Sequence, residues 1–368
     1  MSRGSGFRVQ GSRFKVQGYK RIIIFGLFFL IPFLIISKTK SVSSAAPKYT
    51  IKIGSLVTPN SVWGKAVTKV VRYIERETGG EVNIEHHCCG VLGGEKSLLE
   101  MVMFGGIQAA GVPSFTLASI VPEVHILELP FLFDDRDEAY YLIDTVIAPH
   151  LKEKLEKKGL LTSAFMESGF MEFVTPRFIE KPDDLKELKF GSWESPVHIS
   201  ILKAFGGKPI PIPVTEVPTA YSRGRVDSGA NSLNGLLSWD YLFGSALKRN
   251  KIYITETRFS YQAGVLVANA KYMRGMPANL REIFLRGLDK LTVELRESLR
   301  KAEPESRREL KRRGYHIREM SGEDRAVFVA EAQKVYKEYE KQVGKEFLSK
   351  VLAGREKYRK KLKNLNKI

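Results

Sequence analysis

The segment from Pro182 to Asn231 leaves little choice of fold. Pro182-Asp183-Asp184-Leu185-Lys186 reads as a helix entry and Leu188 to Trp193 as a buried strand. A helix up to Phe205-Gly206-Gly207, a strand from Lys208-Pro209, a short helix at Glu216-Val217 and a strand closing on Val226 to Asn231 follow. Open α/β sheets bind small ligands at the carboxyl ends of their strands, and Asn231 falls at such an end.

The earlier part of the chain repeats the alternation. Tyr49 to Leu56 alternates as a strand, with Ile51 and Ile53 on one face. Thr58-Pro59-Asn60-Ser61 is a turn able to cap a helix from Val62 to Thr78, in which Val67, Val70, Val71 and Ile74 recur at helical spacing. Val82 to His86 and Ile107 to Val112 read as further strands, with a glycine loop and a helix up to Met103 between them. This order predicts βαβ units over a mostly parallel sheet. Gly93-Gly94 before a helix, without the wider phosphate-loop pattern, is weak evidence for a nucleotide. Glu138 to Lys157 is expected as one helix, Leu161 to Phe165 and Tyr261 to Asn269 as strands, and Pro277 to Arg313 and Ser321 to Gly354 as helices. In the last of these, Val327, Phe328, Ala330, Val335, Tyr336, Tyr339 and Val343 mark the packing face.

Charge argues against nucleic acid as a partner. Of the net +18, residues 1–47 carry +8 and the stretch from Arg355 carries +6, which leaves +4 on the body. A nucleic-acid binder concentrates its basic residues on a recognition face. The apolar run Ile22 to Ile36 follows Lys20-Arg21 and precedes Ser41 to Ala46, the pattern of a secretory leader cleaved after Ala46. The run is short for a spanning helix, and an uncleaved amino-terminal anchor stays open beside the leader. Residues 355–368 read as a solvated basic tail. His86-His87-Cys88-Cys89 groups metal-capable side chains, yet neighbours on a strand point to opposite faces and zinc ligands are normally spaced. No metal site and no cofactor are expected. An adjacent-cysteine disulfide and two free thiols both remain open.

The pieces from Tyr49 to about residue 350 come in an order that resembles the solute-binding proteins of tripartite ATP-independent periplasmic (TRAP-type) transporters, the DctP-like family. Leu92-Gly93-Gly94-Glu95, Leu129-Pro130-Phe131-Leu132-Phe133, Asp183-Asp184-Leu185-Lys186, Val226-Asp227 with Asn231, and Gly314 to Arg318 before Ser321-Gly322-Glu323 carry the likeness. The resemblance implies an α/β, two-lobe periplasmic binding protein-like fold with an interlobe cleft, crossover hinge strands and long C-terminal helices. Lobe I is expected over 48–169 with 255–296 and lobe II over 170–254 with 297–350, with hinges near Glu167 to Phe170 and Thr255 to Phe259. It implies a monomeric, exported, periplasmic protein that binds a small organic solute, typically an organic acid, for the small and large permease subunits. Glu95, Ser114, Phe115, Phe170, Met171, Gly191, Trp193 and Asn231 are the expected ligand-binding residues.

Two positions depart from the family pattern. Gly191 stands where the family has the arginine that clamps the substrate carboxylate, and Met171 where a second arginine is frequent. A guanidinium fork binds a carboxylate far better than a point charge. Gly191 beside Trp193 instead makes room for a larger or less charged solute against a flat indole. Trp193 equally fits a packing role, Asn231 a turn former and Glu95 a helix-dipole partner. Neither a Gly-x-Ser-x-Gly elbow nor a His-Glu-x-x-His motif occurs, and no catalytic residues are expected. A ligand-sensing protein that presents its solute to a membrane receptor would read the same, and a secreted enzyme on this fold is the remaining alternative.

Overall fold

The computed structural model describes residues 46–162, 165–238 and 251–365. The expected leader or anchor therefore lies outside the described residues except for Ala46. Strand β1 (Tyr49–Ser55) pairs in parallel with β2 (Val82–His87) and β3 (Ala109–Pro113). Helix α1 (Val62–Glu77) makes the first crossover, and the Ser61 hydroxyl caps it by accepting from the Gly64 amide at 3.0 Å. Helix α2 (Glu95–Phe104) makes the second and ends on Gly105 in the left-handed conformation.

The sheet is mixed rather than mostly parallel. Its order is β2-β1-β3-β9-β5-β8, and β4 (Leu160–Thr162) and β10 (Tyr315–Glu319) also pair with β9. β5 (Met166–Thr175) and β9 (Ile252–Asn269) are the long members, and they run antiparallel to each other. β3, β4 and β8 (Gly229–Asn231) also join them antiparallel. The cause is that the chain crosses the sheet along β5 and returns along β9, so the two segments meet head to tail. β9 begins nine residues before the expected Tyr261, because Glu256 and Arg258 interrupt the apolar pattern while the backbone stays paired.

The β5–β9 pair is irregular in two places. Its register shifts between Glu167 and Gly169 and again between Met171 and Phe173. Gly169 has φ +113° and Arg258 φ +51°. A bulge leaves backbone donors without a cross-strand acceptor. The Glu172 carboxylate takes two of them, the Thr257 amide at 2.6 Å and the Arg258 amide at 2.9 Å. Below the bulge, Phe173 stacks on Phe259 at 4.8 Å between centroids and meets Phe190, Phe205 and Phe328 in one buried cluster.

A smaller parallel sheet pairs β6 (Lys189–Ser192) with β7 (Lys208–Pro211), and α5 (Pro196–Ala204) lies between them in sequence. The helix expected over Glu138 to Lys157 is α3 (Arg136–Leu142), a wide π turn (Ile143–Ile147) and α4 (Ala148–Lys157). The widening falls just before Pro149, which lacks an N–H and would crowd the preceding turn of an ordinary helix. Helix α6 (Val217–Ser222) is short. Helix α7 (Ala278–Arg312) packs on α1, where Gly287 leaves no room for a Cβ, which would sit 2.7 Å from Ile74. The last expected helix divides at Gly344 into α8 (Gly322–Val343) and α9 (Lys345–Leu365). Val327 and Ala330 of the expected packing face are exposed on α8, while Phe328, Val335, Tyr339 and Val343 are buried.

The expected solvated tail is corrected in part. Residues 355–365 are helical and their first turns are docked: Arg359 bonds Glu138 at 2.6 Å and Asp134 at 2.8 Å. The buried Glu138 carboxylate and the half-exposed Asp134 gave the basic stretch partners that its composition did not reveal. Among the described residues, no helix is long and apolar enough to cross a membrane.

Glu128 offers a stability test. It is buried, and among the described residues only the Ser195 hydroxyl donates to its carboxylate, at 3.0 Å. Burial pushes its carboxyl up to about 8, against a smaller opposing effect of that hydrogen bond. A carboxyl raised in the folded state contributes fully below its unfolded pKa and loses that contribution as pH rises through the folded value. Glu128→Gln removes the loss. Urea unfolding should show the variant gaining about 2–4 kcal/mol on the wild type between pH 5 and pH 8.

Candidate functional site

The carboxyl ends of β1, β3, β6 and β8 converge on a cavity of about 240 Å³. This is where an open α/β sheet presents loop residues to a ligand. Ser55 to Thr58 follow β1 on one wall, Gly191 to Glu194 close β6 on another, and Ala230 to Ser232 close β8 beside it. The crossing strands supply the floor through Met166 to Ser168, Met171 and Gln262. The bulges of β5 thus lie directly under the cavity.

Of the residues singled out in the sequence, Glu95, Phe115, Met171, Gly191, Trp193 and Asn231 line this cavity. Ser114 and Phe170 do not. Ser114 begins the turn after β3 and is fully buried, while its neighbour Phe115 faces the cavity. Phe170 precedes Met171 on β5, and adjacent strand residues point to opposite faces. Its ring packs edge-on against Tyr261 at 5.3 Å.

The wall at β6 is aromatic. Trp193 meets Phe115 edge-on at 5.9 Å, and its indole N–H donates to the Ala230 carbonyl at 3.3 Å. That bond fixes the ring plane and joins the ends of β6 and β8. Asn231 spends its side-chain oxygen on the Ser232 amide at 2.9 Å. Gly235 permits this, since a Cβ there would lie 2.2 Å from that oxygen. A Cβ on Gly191 would meet Ser228, Ile212 and Val226 at 3.4–3.5 Å, ordinary contact distances.

Charge on the wall is one-sided. Glu95, Glu167 and Glu194 line it, and among the described residues no lysine or arginine does. Glu167 is neutralised from behind: Arg136 bonds it at 2.6 Å and Tyr140 donates to its other oxygen, while Arg136 also pairs with Glu303. Glu95 opens α2 and is 9% exposed. Burial raises its pKa first, its own backbone amide opposes that, and the nearby Glu194 charge raises it further. His86 is hydrogen-bonded to Ser55 at 2.7 Å, and burial, then His87, holds it below the usual histidine range.

Sequence reading missed Gln262, Glu194 and the Ser55–His86 pair. Gln262 carried a legible signal, as the lone amide in the apolar run from Tyr261 to Ala268. The others come together only through pairing of β1 with β2 and the closing turn of β6. The Cys88 and Cys89 thiols are free and 2.9 Å apart. Among the described residues, no cluster of His, Cys, Asp and Glu could hold a metal ion.

Residues 53–342 match the family described as bacterial extracellular solute-binding protein, family 7. The chain belongs to that family. It is a TRAP-type solute-binding protein, of an α/β fold shared with solved structures of that class. It is 28% identical to a solute-binding protein of Verminephrobacter eiseniae, over 84% of this chain and 90% of the relative. It is 25% identical to the C4-dicarboxylate-binding periplasmic protein DctP of Rhodobacter capsulatus, over 86% of this chain and 94% of the relative. The sugar acid binding protein of Advenella mimigardefordensis, solved with galactonate, has the same fold: TM-score 0.79 at 24% identity, over 85% of this chain and 99% of that one. Members of this family are extracytoplasmic binding proteins rather than enzymes.

For this TRAP-type protein, the Trp193 ring is the largest aromatic surface on the β6 wall. In calorimetry with whichever solute stabilises the wild type most, Trp193→Ala should weaken binding by about 1–3 kcal/mol, the range for losing a packed aromatic. An affinity unchanged within error would remove Trp193 from the site.

Proposed function

We propose that this protein captures a small organic solute outside the cytoplasm and hands it, chemically unchanged, to the small and large membrane subunits of a TRAP-type permease. Its export rests on the amino-terminal segment read as a leader or anchor, and it acts as a monomer. The observation that carries the reading is the cavity at the strand ends, with the Trp193–Phe115 wall on one side and the β5–β9 crossing beneath.

Two of the relatives named above are described with C4-dicarboxylate and galactonate, both organic acids. The residues here favour a different balance of contacts. Gly191 and Met171 offer no guanidinium, and the described wall holds no other cation. A simple dicarboxylate should bind poorly compared with a solute that presents an apolar or aromatic face. Glu95, Phe115, Met171, Gly191, Trp193 and Asn231 are the contacts we assign to it.

Binding to the native state alone raises the melting temperature. A thermal-shift screen of organic acids, aromatic acids and neutral solutes should yield at least one hit and no turnover of it. Succinate should rank low for the wild type and gain affinity in Gly191→Arg, whose Cβ finds ordinary contacts. Tight succinate binding by the wild type, indifferent to Trp193→Ala, would sink this site assignment.

Closure is the second part of the proposal. The lobes are 48–169 with 255–296 and 170–254 with 297–350, and the bulged stretches of β5 and β9 serve as hinge strands between them. Hinge residues absorb the dihedral change while each lobe moves rigidly. Small-angle scattering should show a smaller radius of gyration at saturating solute, and an unchanged curve with a confirmed ligand would rule closure out.

A further inference from the structure

We propose that the solute carries an ammonium group, received by the Glu95 and Glu194 carboxylates beside the Trp193–Phe115 wall, and an oxygen that accepts from Gln262. The inference rests on the cavity being the solute site, and it names the chemistry of the solute. Glu95 is 9% exposed and lines the cavity, and among the described residues neither it nor Glu194 has a hydrogen-bond or ion-pair partner beyond Glu95's own amide. A buried carboxylate without a countercharge is costly, and the cost is removed by an incoming cation that is itself desolvated against it.

Among the described residues, none supplies such a cation on the wall. Arg136 is committed to Glu167 and Glu303 behind the floor, and burial, then His87, holds the His86 pKa below the usual histidine range. The mutual repulsion of Glu95 and Glu194 is part of what raises the Glu95 pKa, and a single ammonium placed near both would relieve it.

Gln262 adds an independent observation. Gln262 is 6% exposed and lines the cavity, and among the described residues its buried amide nitrogen has no acceptor. A buried donor left unmade costs as much as a lost hydrogen bond. That nitrogen is neutral, so it provides for an oxygen without reversing the sign of the field. An amino alcohol or amino acid on an apolar frame satisfies the carboxylates, the amide and the indole together.

The test uses three matched probes: phenylalaninol, 3-phenyl-1,2-propanediol and 3-phenyllactate. They share a phenyl ring and a hydroxyl and differ in ammonium, hydroxyl or carboxylate. Wild-type calorimetry should rank phenylalaninol first. Glu95→Gln should weaken phenylalaninol at least about tenfold, as for loss of a charged hydrogen bond, and change the diol much less. Without ligand, Glu95→Gln should melt no lower than the wild type, which separates a lost contact from a damaged fold. Tighter binding of phenyllactate than of phenylalaninol, or equal losses for all three probes in Glu95→Gln, would overturn the ammonium assignment and leave the solute-binding reading intact. Failure of these probes and of every solute in the wider screen would overturn both.

Discussion

The antiparallel pairing of β5 with β9 is the constraint on which the rest of the molecule depends. Each of the two strands contributes to more than one pairing, and β9 alone carries β3, β4, β5 and β10. Its two register shifts would leave amides unpaired in a dry interior, and Glu172 closes one of them by accepting from Thr257 and Arg258. The same carboxylate sits where burial pushes its pKa up to about 8, despite the backbone donors that oppose the rise. The bulge is therefore an electrostatic structure as well as a steric one. It places Met171 under the cavity and turns Phe173 into the cluster with Phe190, Phe205, Phe259 and Phe328.

The cavity inherits its character from that crossing. Glu167, which approaches it from below, is already spent: its carboxylate on Arg136 and Tyr140, and its backbone carbonyl on the Trp63 indole at 3.1 Å. What remains free to meet a solute is an aromatic corner, a buried amide and carboxylates at the rim of α2 and β6. This combination distinguishes the site from one built around a guanidinium clamp, because affinity then rests on packing and desolvation more than on a bidentate ion pair.

The carboxyl-terminal helices tie distant parts of the chain to this frame. Phe328 on α8 enters the Phe173 cluster, Tyr336 donates to the Pro130 carbonyl at 3.0 Å, and Arg359 on α9 reaches Glu138 and Asp134. The Pro130 to Asp135 turn is consequently clamped from its far side, and the same turn leads into α3, whose Arg136 neutralises the floor of the cavity. A basic segment that composition marks as a solvated end is thus connected to the electrostatics of the site through two ion-paired helices.

The sequence by itself determined what depends on local pattern. The βαβ start, the Ser61 cap, the elements from Pro182 to Asn231 and the order of family landmarks were all legible, since periodicity, capping and turn chemistry act within a few residues. It also marked Glu95, Phe115, Met171, Gly191, Trp193 and Asn231, which apart from Met171, inside β5, stand at or beside the ends of strands or helices. Tertiary structure decided the rest. The direction of β9, its early start through Glu256 and Arg258, and the burial of Ser114 and Phe170 follow from pairing across more than eighty residues of sequence. The docking of Arg359 and the meeting of Glu95 with Glu194 have the same origin, since which groups come together depends on the closed fold and on no local signal.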